Sequence, residues 1–168
     1  MADLAGAEAR AAIGGLRPPV LDDLGLAAAL ASLAREAGSA PGGPEVTVTA
    51  TGELEAVLPD HVQTALYRIA QECLSNAVRH SRAGTVDLSL RYGARWVHLA
   101  VEDDGQGFVL DGERAADGRP DSFGLRSMRE RAELLGGAVQ IASRPGVGTT
   151  VRTAVPTPTP ADPTPPPP

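Results

Sequence analysis

Tyr67–Ser81 reads YRIAQECLSNAVRHS, and Val101–Phe108 further on reads VEDDGQGF. On a helix, Glu72, Asn76 and His80 recur every fourth residue, so each step drifts only ~40° around the axis. One stripe then carries a carboxylate suited to a general base, an amide suited to a metal and an imidazole suited to phosphate. Asp103, Gly105 and Gly107 predict a tight turn in which backbone can approach a flat ring. A helix that can hold metal and phosphates, beside a glycine turn that can hold a base, describes a nucleotide pocket.

Working outward, Pro59 opens this helix in the first-turn position that proline tolerates. Leu66, Ile69, Ala70, Cys73 and Ala77 form its buried stripe, flanked by Asn76 and His80. Two alternating strands follow, Thr85–Arg91 and Arg95–Asp103, joined through Tyr92–Gly93–Ala94. Upstream, Glu45–Thr51 (EVTVTAT) alternates and is β-branched, so it reads as a strand after a loop at Gly38–Pro44. Before the loop, Asp22 or Asp23 is placed to cap a helix with Leu26, Leu30, Leu33, Ala34 and Ala37 at helical spacing. Pro18 and Pro19 separate it from an Ala-rich, helix-prone stretch at Ala2–Arg17. Downstream, Phe108–Phe123 lacks periodicity, as lids and disordered loops do. Gly124–Leu135 reads as a helix stopped by Gly136–Gly137. Strands at Ala138–Ser143 and Gly148–Val155 turn back at Pro145–Gly146. From Pro156 the sequence PTPTPADPTPPPP cannot bury apolar surface, and a disordered tail is expected.

Strand parity selects the residues that face the pocket. Val97, Leu99 and Val101 share the buried face, and Asp103 has their parity, whereas Glu102 and Asp104 do not. A carboxylate turned inward is costly unless it finds donors, and an exocyclic amine of adenine would supply one. On the last strand, Val151 and Val155 mark the inward face, which Thr149 shares and Thr150 does not. Thr149 is thus placed to bond Asp103 or a water beside it. Trp96 and His98 fall on the opposite face.

The chain has 168 residues, enough for one domain with a sizeable core. Its formal net charge of −6 argues against a nucleic-acid surface. The longest apolar run, Gly25–Ala34, falls far short of the ~18–20 residues that span a bilayer. Asp3 and Glu8 stand where a secretory leader would be basic. Cys73 is alone, which excludes a disulfide framework and a cysteine metal cluster. A cytoplasmic protein is expected.

These blocks resemble the GHKL (Bergerat) ATP-binding fold, and more narrowly sensor histidine kinases of the nitrate/nitrite-sensor and desaturase-sensor type. The resemblance runs from about Leu16 to Pro156. LRPPVLDDLGLAAAL resembles the stretch joining that family's dimerisation helices to its ATPase domain. ALYRIAQECLSNAVRHS resembles the asparagine box, VEDDGQGF the first glycine box, FGLRSMRERAELLGG the second, and SRPGVGTTVRTAVP the closing hairpin. The implied fold is a two-layer α/β (α+β) sandwich, with a mixed, largely antiparallel sheet of about five strands and three helices on one face. The implied domains are a remnant of dimerisation helix and linker at 1–20, the ATPase domain at 21–156 and the tail at 157–168.

The resemblance also implies ATP and Mg²⁺ as cofactors. It gives Asn76 the metal, and gives Glu72 the polarisation of the attacking group or a metal-bound water. Arg79 and His80 would face the phosphates. Asp103 would read adenine with Gly105 and Gly107 allowing close approach and Thr149 in support. Gly124 and Leu125 would open a helix whose amides bind phosphate. The lid at Phe108–Phe123 would close over the triphosphate. Arg126, Arg129 and Arg131 read as solvated surface, and Met128 as core.

The implied family phosphorylates its own histidine on a dimerisation helix. The three histidines here are His61 at a helix start, His80 in the pocket and His98 inside a strand. None lies on an acceptor helix followed by an acidic residue. Three readings stay open. The first is the catalytic domain of a two-component histidine kinase, with its acceptor domain and response regulator as partners and a membrane anchor open for a full-length kinase. The second is an anti-sigma-factor-type serine kinase switch. The third is a non-catalytic nucleotide-binding regulator.

Overall fold

The computed structural model describes residues 16–52, 58–110 and 120–157, with backbone alone at 120–123. The Ala-rich stretch ahead of Leu16, most of the expected lid and the proline-rich tail lie outside the described residues. Among the described residues, no helix is long and apolar enough to cross a membrane.

The first helix, α1 (Pro19–Ser39), starts at the proline pair that the sequence reads as a break. Pro18 is buried and extended (φ −62, ψ 129), and Pro19 takes the first helical position, where a missing N–H costs nothing. Asp22 is therefore inside the first turn rather than at its cap, and pairs with Arg17 at 2.6 Å. Gly25 breaks the helix at φ 75, ψ 172. Beyond this kink, Leu26, Leu30, Leu33 and Ala34 are buried as their spacing predicts, Ala29 is buried besides, and Ala37 is half-buried.

Strand β1 (Glu45–Thr51) leads to α2 (Asp60–Asn76), for which Pro59 is the N-cap, one position earlier than the sequence reading places it. Strands β2 (Thr85–Tyr92) and β3 (Trp96–Asp103) form a hairpin. Helix α3 (Pro120–Leu134) and strands β4 (Ala138–Arg144) and β5 (Gly148–Pro156) complete the chain.

The sheet has five strands in the order β1-β2-β3-β5-β4. Only β1 and β2 pair in parallel, and α2 is the crossover that a parallel pair requires. Alternation then sorts the sheet into two faces. Val86, Leu88, Leu90, Val97, Leu99, Val101, Val151 and Val155 are buried under the helical layer. The other face carries exposed Thr85, Asp87, Ser89 and Arg91, and a surface pair of Arg152 with Glu102 at 2.9 Å. Helix α1 packs on β1 and α2, α2 also touches β3, and α3 lies against β4 and β5. The two-layer α/β sandwich with a mixed sheet is thus what forms.

Gly107 closes the turn after β3 at φ 60, and a Cβ there would overlap the carbonyl oxygen of Arg144. Gly146 has φ 77 but open space around it. Gly146→Ala should cost about 1 kcal/mol from backbone strain alone. Gly107→Ala should cost about 3 kcal/mol, because the backbones must also part. Urea midpoints at unchanged m-value measure both, and equal losses would refute the close approach.

Candidate nucleotide-binding site

The site forms where the end of α2 meets the end of β3. The apolar stripe of α2 turns Leu66, Ile69, Ala70, Cys73 and Leu74 into the core, which leaves Glu72 and Asn76 half-buried along its border. Successive turns thus present a carboxylate and an amide to the same side. Among the described residues, the Asn76 side chain has no hydrogen-bond partner, so its amide is available to a ligand. Glu72 lies against α3, and a Cβ at Gly124 would overlap its carboxylate.

Past Asn76 the helix widens into a π-turn, Ala77–Ser81, and stops at Arg82 in the left-handed region (φ 52). The i→i+5 pairing of a π-turn changes the angular step beyond Asn76. Arg79 and His80 are both exposed. Ser81 is buried, accepts the Ala83 N–H at 3.1 Å and donates to Ala77 O at 2.8 Å.

The glycine turn sits on this π-turn. Gln106 N–H donates to Ser81 O at 2.6 Å, and its side-chain amide donates to His80 O at 2.5 Å. A Cβ at Gly105 would overlap Ser81, just as one at Gly107 would overlap Arg144. Approaches within the chain therefore require a glycine at both positions.

The adjacent acids do different work. Asp103 shares the buried face and is half-buried, with its Oδ1 accepting Gly105 N–H at 2.9 Å. Burial pushes its carboxyl above the usual carboxylate range, against the lowering effect of the Gly105 and Thr149 amides. Asp104 is exposed, and its Oδ1 accepts the N–H groups of Gly84 and Thr85 at 2.8 Å each. Those bonds, the Thr85 amide foremost, hold its carboxyl below the usual range. Asp103 faces Thr149 across the β3–β5 ladder. The Thr149 hydroxyl bonds Ser143 Oγ at 2.8 Å, so it is the backbone of Thr149 that supports the acid. Ser143, which also accepts the Phe108 N–H at 2.9 Å, is a residue the sequence reading overlooks. Counting back through the β4–β5 hairpin pairs it with Thr149.

Cys73 and Met128 floor the site, with their sulfurs 3.5 Å apart. Burial first, then the nearby Glu72 and Asp103 charges, push the Cys73 thiol far up, which keeps it protonated and inert. The sequence reading has Gly124 and Leu125 open their helix, and this is corrected here. Helix α3 begins at Pro120, which has no N–H, so the amides left over at its start are those of 121–123. Gly124 and Leu125 instead stand as a wall, against Glu72 and the core respectively.

A sequence model for the family described as Histidine kinase-, DNA gyrase B-, and HSP90-like ATPase matches residues 61–159, which hold all of these groups. The chain belongs to this family. ATP is thereby the nucleotide that the GHKL domain takes. The chain is 36% identical over 141 residues to the signal transduction histidine-protein kinase/phosphatase DegS of Bacillus subtilis, covering 83% of this chain and 36% of that protein. It is 38% identical over 157 residues to the sensor histidine kinase LiaS of Bacillus subtilis, covering 93% of this chain and 41% of that one. It therefore spans about two-fifths of the length of these relatives. Full-length ShkA, solved in complex with AMPPNP, superposes with a TM-score of 0.65 at 25% identity, over 82% of this chain and 31% of that one. The chain corresponds to the ATP-binding catalytic part of such kinases.

The two acids of this GHKL domain give opposite pH effects. An acid whose folded pKa is raised keeps its proton longer in the folded state. Stability therefore falls as pH rises from the ordinary carboxylate value of about 3.9 through the raised one of Asp103. Asp104, with its lowered pKa, stabilises above the ordinary value, and that contribution is lost as pH falls below it. Asp103→Asn should remove the fall above pH ~4 and keep the acid limb in urea titrations. A profile superimposable on the parent's would show that Asp103 ionises normally.

Proposed function

We propose that this GHKL domain serves a two-component sensor histidine kinase of the nitrate/nitrite-sensor and desaturase-sensor type. It transfers the γ-phosphoryl group of Mg-ATP to a histidine on a separate dimerisation domain, for relay to a response regulator. The observation that carries the reading is the unpartnered Asn76 amide and the Glu72 carboxylate on successive turns of α2, beside the inward Asp103. Residues 21–156 form the ATPase domain, 1–20 the approach from the dimerisation domain and 157–168 a tail, in a cytoplasmic setting. The relatives are histidine kinases by name, which favours this reading over a serine-kinase switch.

Asp103 accepts the adenine amine, with its own orientation fixed by the Gly105 and Thr149 amides. Gly107 shapes the turn that holds Gly105 in place. Asn76 holds Mg²⁺. Among the described residues no group of three or more His, Cys, Asp or Glu side chains gathers around it. One amide fits a hard cation that keeps its waters and takes the rest of its ligands from phosphates. The metal supplies charge neutralisation at the triphosphate. Glu72 orients the attacking imidazole and accepts its proton, and exposed Arg79 and His80 lie toward the phosphates. Catalysis of this kind is positioning plus electrostatics. The acceptor lies on the separate domain, since His61 is in the first turn of α2, His80 in the π-turn that ends it and His98 inside β3.

Asn76→Asp, by loss of metal geometry, and Asp103→Asn, by loss of base readout, should each weaken Mg-ATP binding by about 10- to 100-fold with the fold intact. Calorimetry beside circular dichroism measures both, and unchanged affinity in both variants would overturn the site. Incubated with labelled ATP, this chain should accumulate no acid-labile phosphate. Its appearance would place an acceptor among its own histidines.

A further inference from the structure

Arg131 reads as solvated surface in the sequence, yet its Nε–H is enclosed and has no acceptor, while its Nη1 donates to Ser127 Oγ at 2.8 Å. A buried N–H without a partner is rare in a folded chain and marks a place where an acceptor belongs. Arg131 lines a cavity of about 80 Å³ between α2 and α3, together with Arg68, Gln71, Glu72, Ser127 and Met128. A water needs about 10–15 Å³ of such space, so the cavity admits a group of several heavy atoms.

The wall is rich in donors and short of acceptors. Ser127 Oγ accepts from Arg131 and keeps its own hydrogen to give. Gln71 Oε1 accepts Arg68 Nη1 at 2.8 Å, which leaves the Gln71 amide nitrogen to donate. Glu72, the one acid on this wall, directs its carboxylate at Gly124, where the missing Cβ gives it room. Two guanidinium groups thus stand against one carboxylate, in a chain whose formal net charge is −6. A water on the Nε–H would complete the hydrogen bond and leave the surplus charge. An oxyanion answers both, and a planar guanidinium edge matches its oxygens. Buried Met128, whose sulfur lies 3.5 Å from that of Cys73, makes an apolar floor over which such a bond is stronger than in water.

We propose that the α2–α3 cavity binds a small oxyanion, phosphate or carboxylate, on the Arg131 Nε–H edge with the Ser127 hydroxyl and the Gln71 amide. Arg68 stands a turn ahead of Glu72 on α2 and Asn76 a turn behind it, so Glu72 separates this seat from the Asn76 amide. The oxyanion joins α3 to α2 without taking part in nucleotide binding. The proposal stands on the cavity and its donors, and goes beyond the function proposed above.

Nitrogen–proton NMR of the full chain reads the Arg131 Nε–H directly. Sodium phosphate and sodium acetate are titrated in turn against sodium chloride at constant ionic strength, with and without saturating Mg-AMPPNP. The Arg131 signal should move saturably with a Kd of about 1 mM, as two charged hydrogen bonds allow, and equally with and without the nucleotide. Tighter phosphate marks a tetrahedral oxyanion as the ligand, and tighter acetate a carboxylate. Arg131→Lys keeps the charge and loses the planar edge, and Ser127→Ala loses one donor. Each should weaken binding about tenfold at unchanged thermal midpoint, read on the Gln71 side-chain amide. A signal that neither oxyanion moves beyond chloride would overturn the proposal. So would binding that Mg-AMPPNP abolishes, which makes the cavity part of the triphosphate site. Binding indifferent to both variants would mean an adventitious ion only. Since the nucleotide-free titration stands by itself, failure of the nucleotide assignments leaves this result readable.

Discussion

Where α2 ends and β3 ends, the chain meets itself backbone to backbone. Gln106 N–H reaches Ser81 O, Gly105 lies against Ser81 with no room for a side chain, and Gly107 does the same against Arg144. These approaches hold the end of α2 and the end of β3 in one frame. Asn76 lies one π-turn before Ser81 and Asp103 two residues before Gly105, so the contact fixes their separation. A wider turn at either side would move the amide and the acid apart, and the half-buried carboxylate would lose the two amides that make its burial tolerable.

The neighbouring acids show how one strand end divides structural and binding duty. The peptide between Asp103 and Asp104 turns one side chain into the helical layer and the other out to cap Gly84 and Thr85. Asp104 is satisfied by the fold and has little left to offer a ligand. Asp103 accepts from Gly105 on one oxygen and sits at a dielectric boundary, where an added donor counts for more than it would in water. Cys73 and Met128 below it supply that apolar floor.

Much of this was legible from period and parity. Alternation in β3 and β5 picks out the inward Asp103 and Thr149, and the register pairs them directly. The α2 stripe is buried as its spacing predicts. What eluded the sequence depends on neighbours in space. A glycine needed by a ligand and one needed by another stretch of backbone read identically, so Gly105 and Gly107 carry a meaning that only the fold reveals. The Thr149 hydroxyl turns to Ser143 because a hairpin brings them together. Helix starts were misplaced where proline, rather than a capping side chain, sets the first turn, as at Pro19 and Pro120. Arg131 reads as surface, yet its Nε is enclosed, because spacing along one helix says nothing about what a second helix covers.

The broken first helix carries a mechanical consequence. An unbroken rod entering a domain transmits torsion along its axis, so a twist at one end is felt at the other. At Gly25 the rod is jointed, so the short piece before it, anchored by buried Leu21, is not continuous with the piece behind it. What passes that joint is traction rather than rotation. Arg17 and Arg68 tether the entering segment to the side of α2, so a pull arrives broadside on that helix.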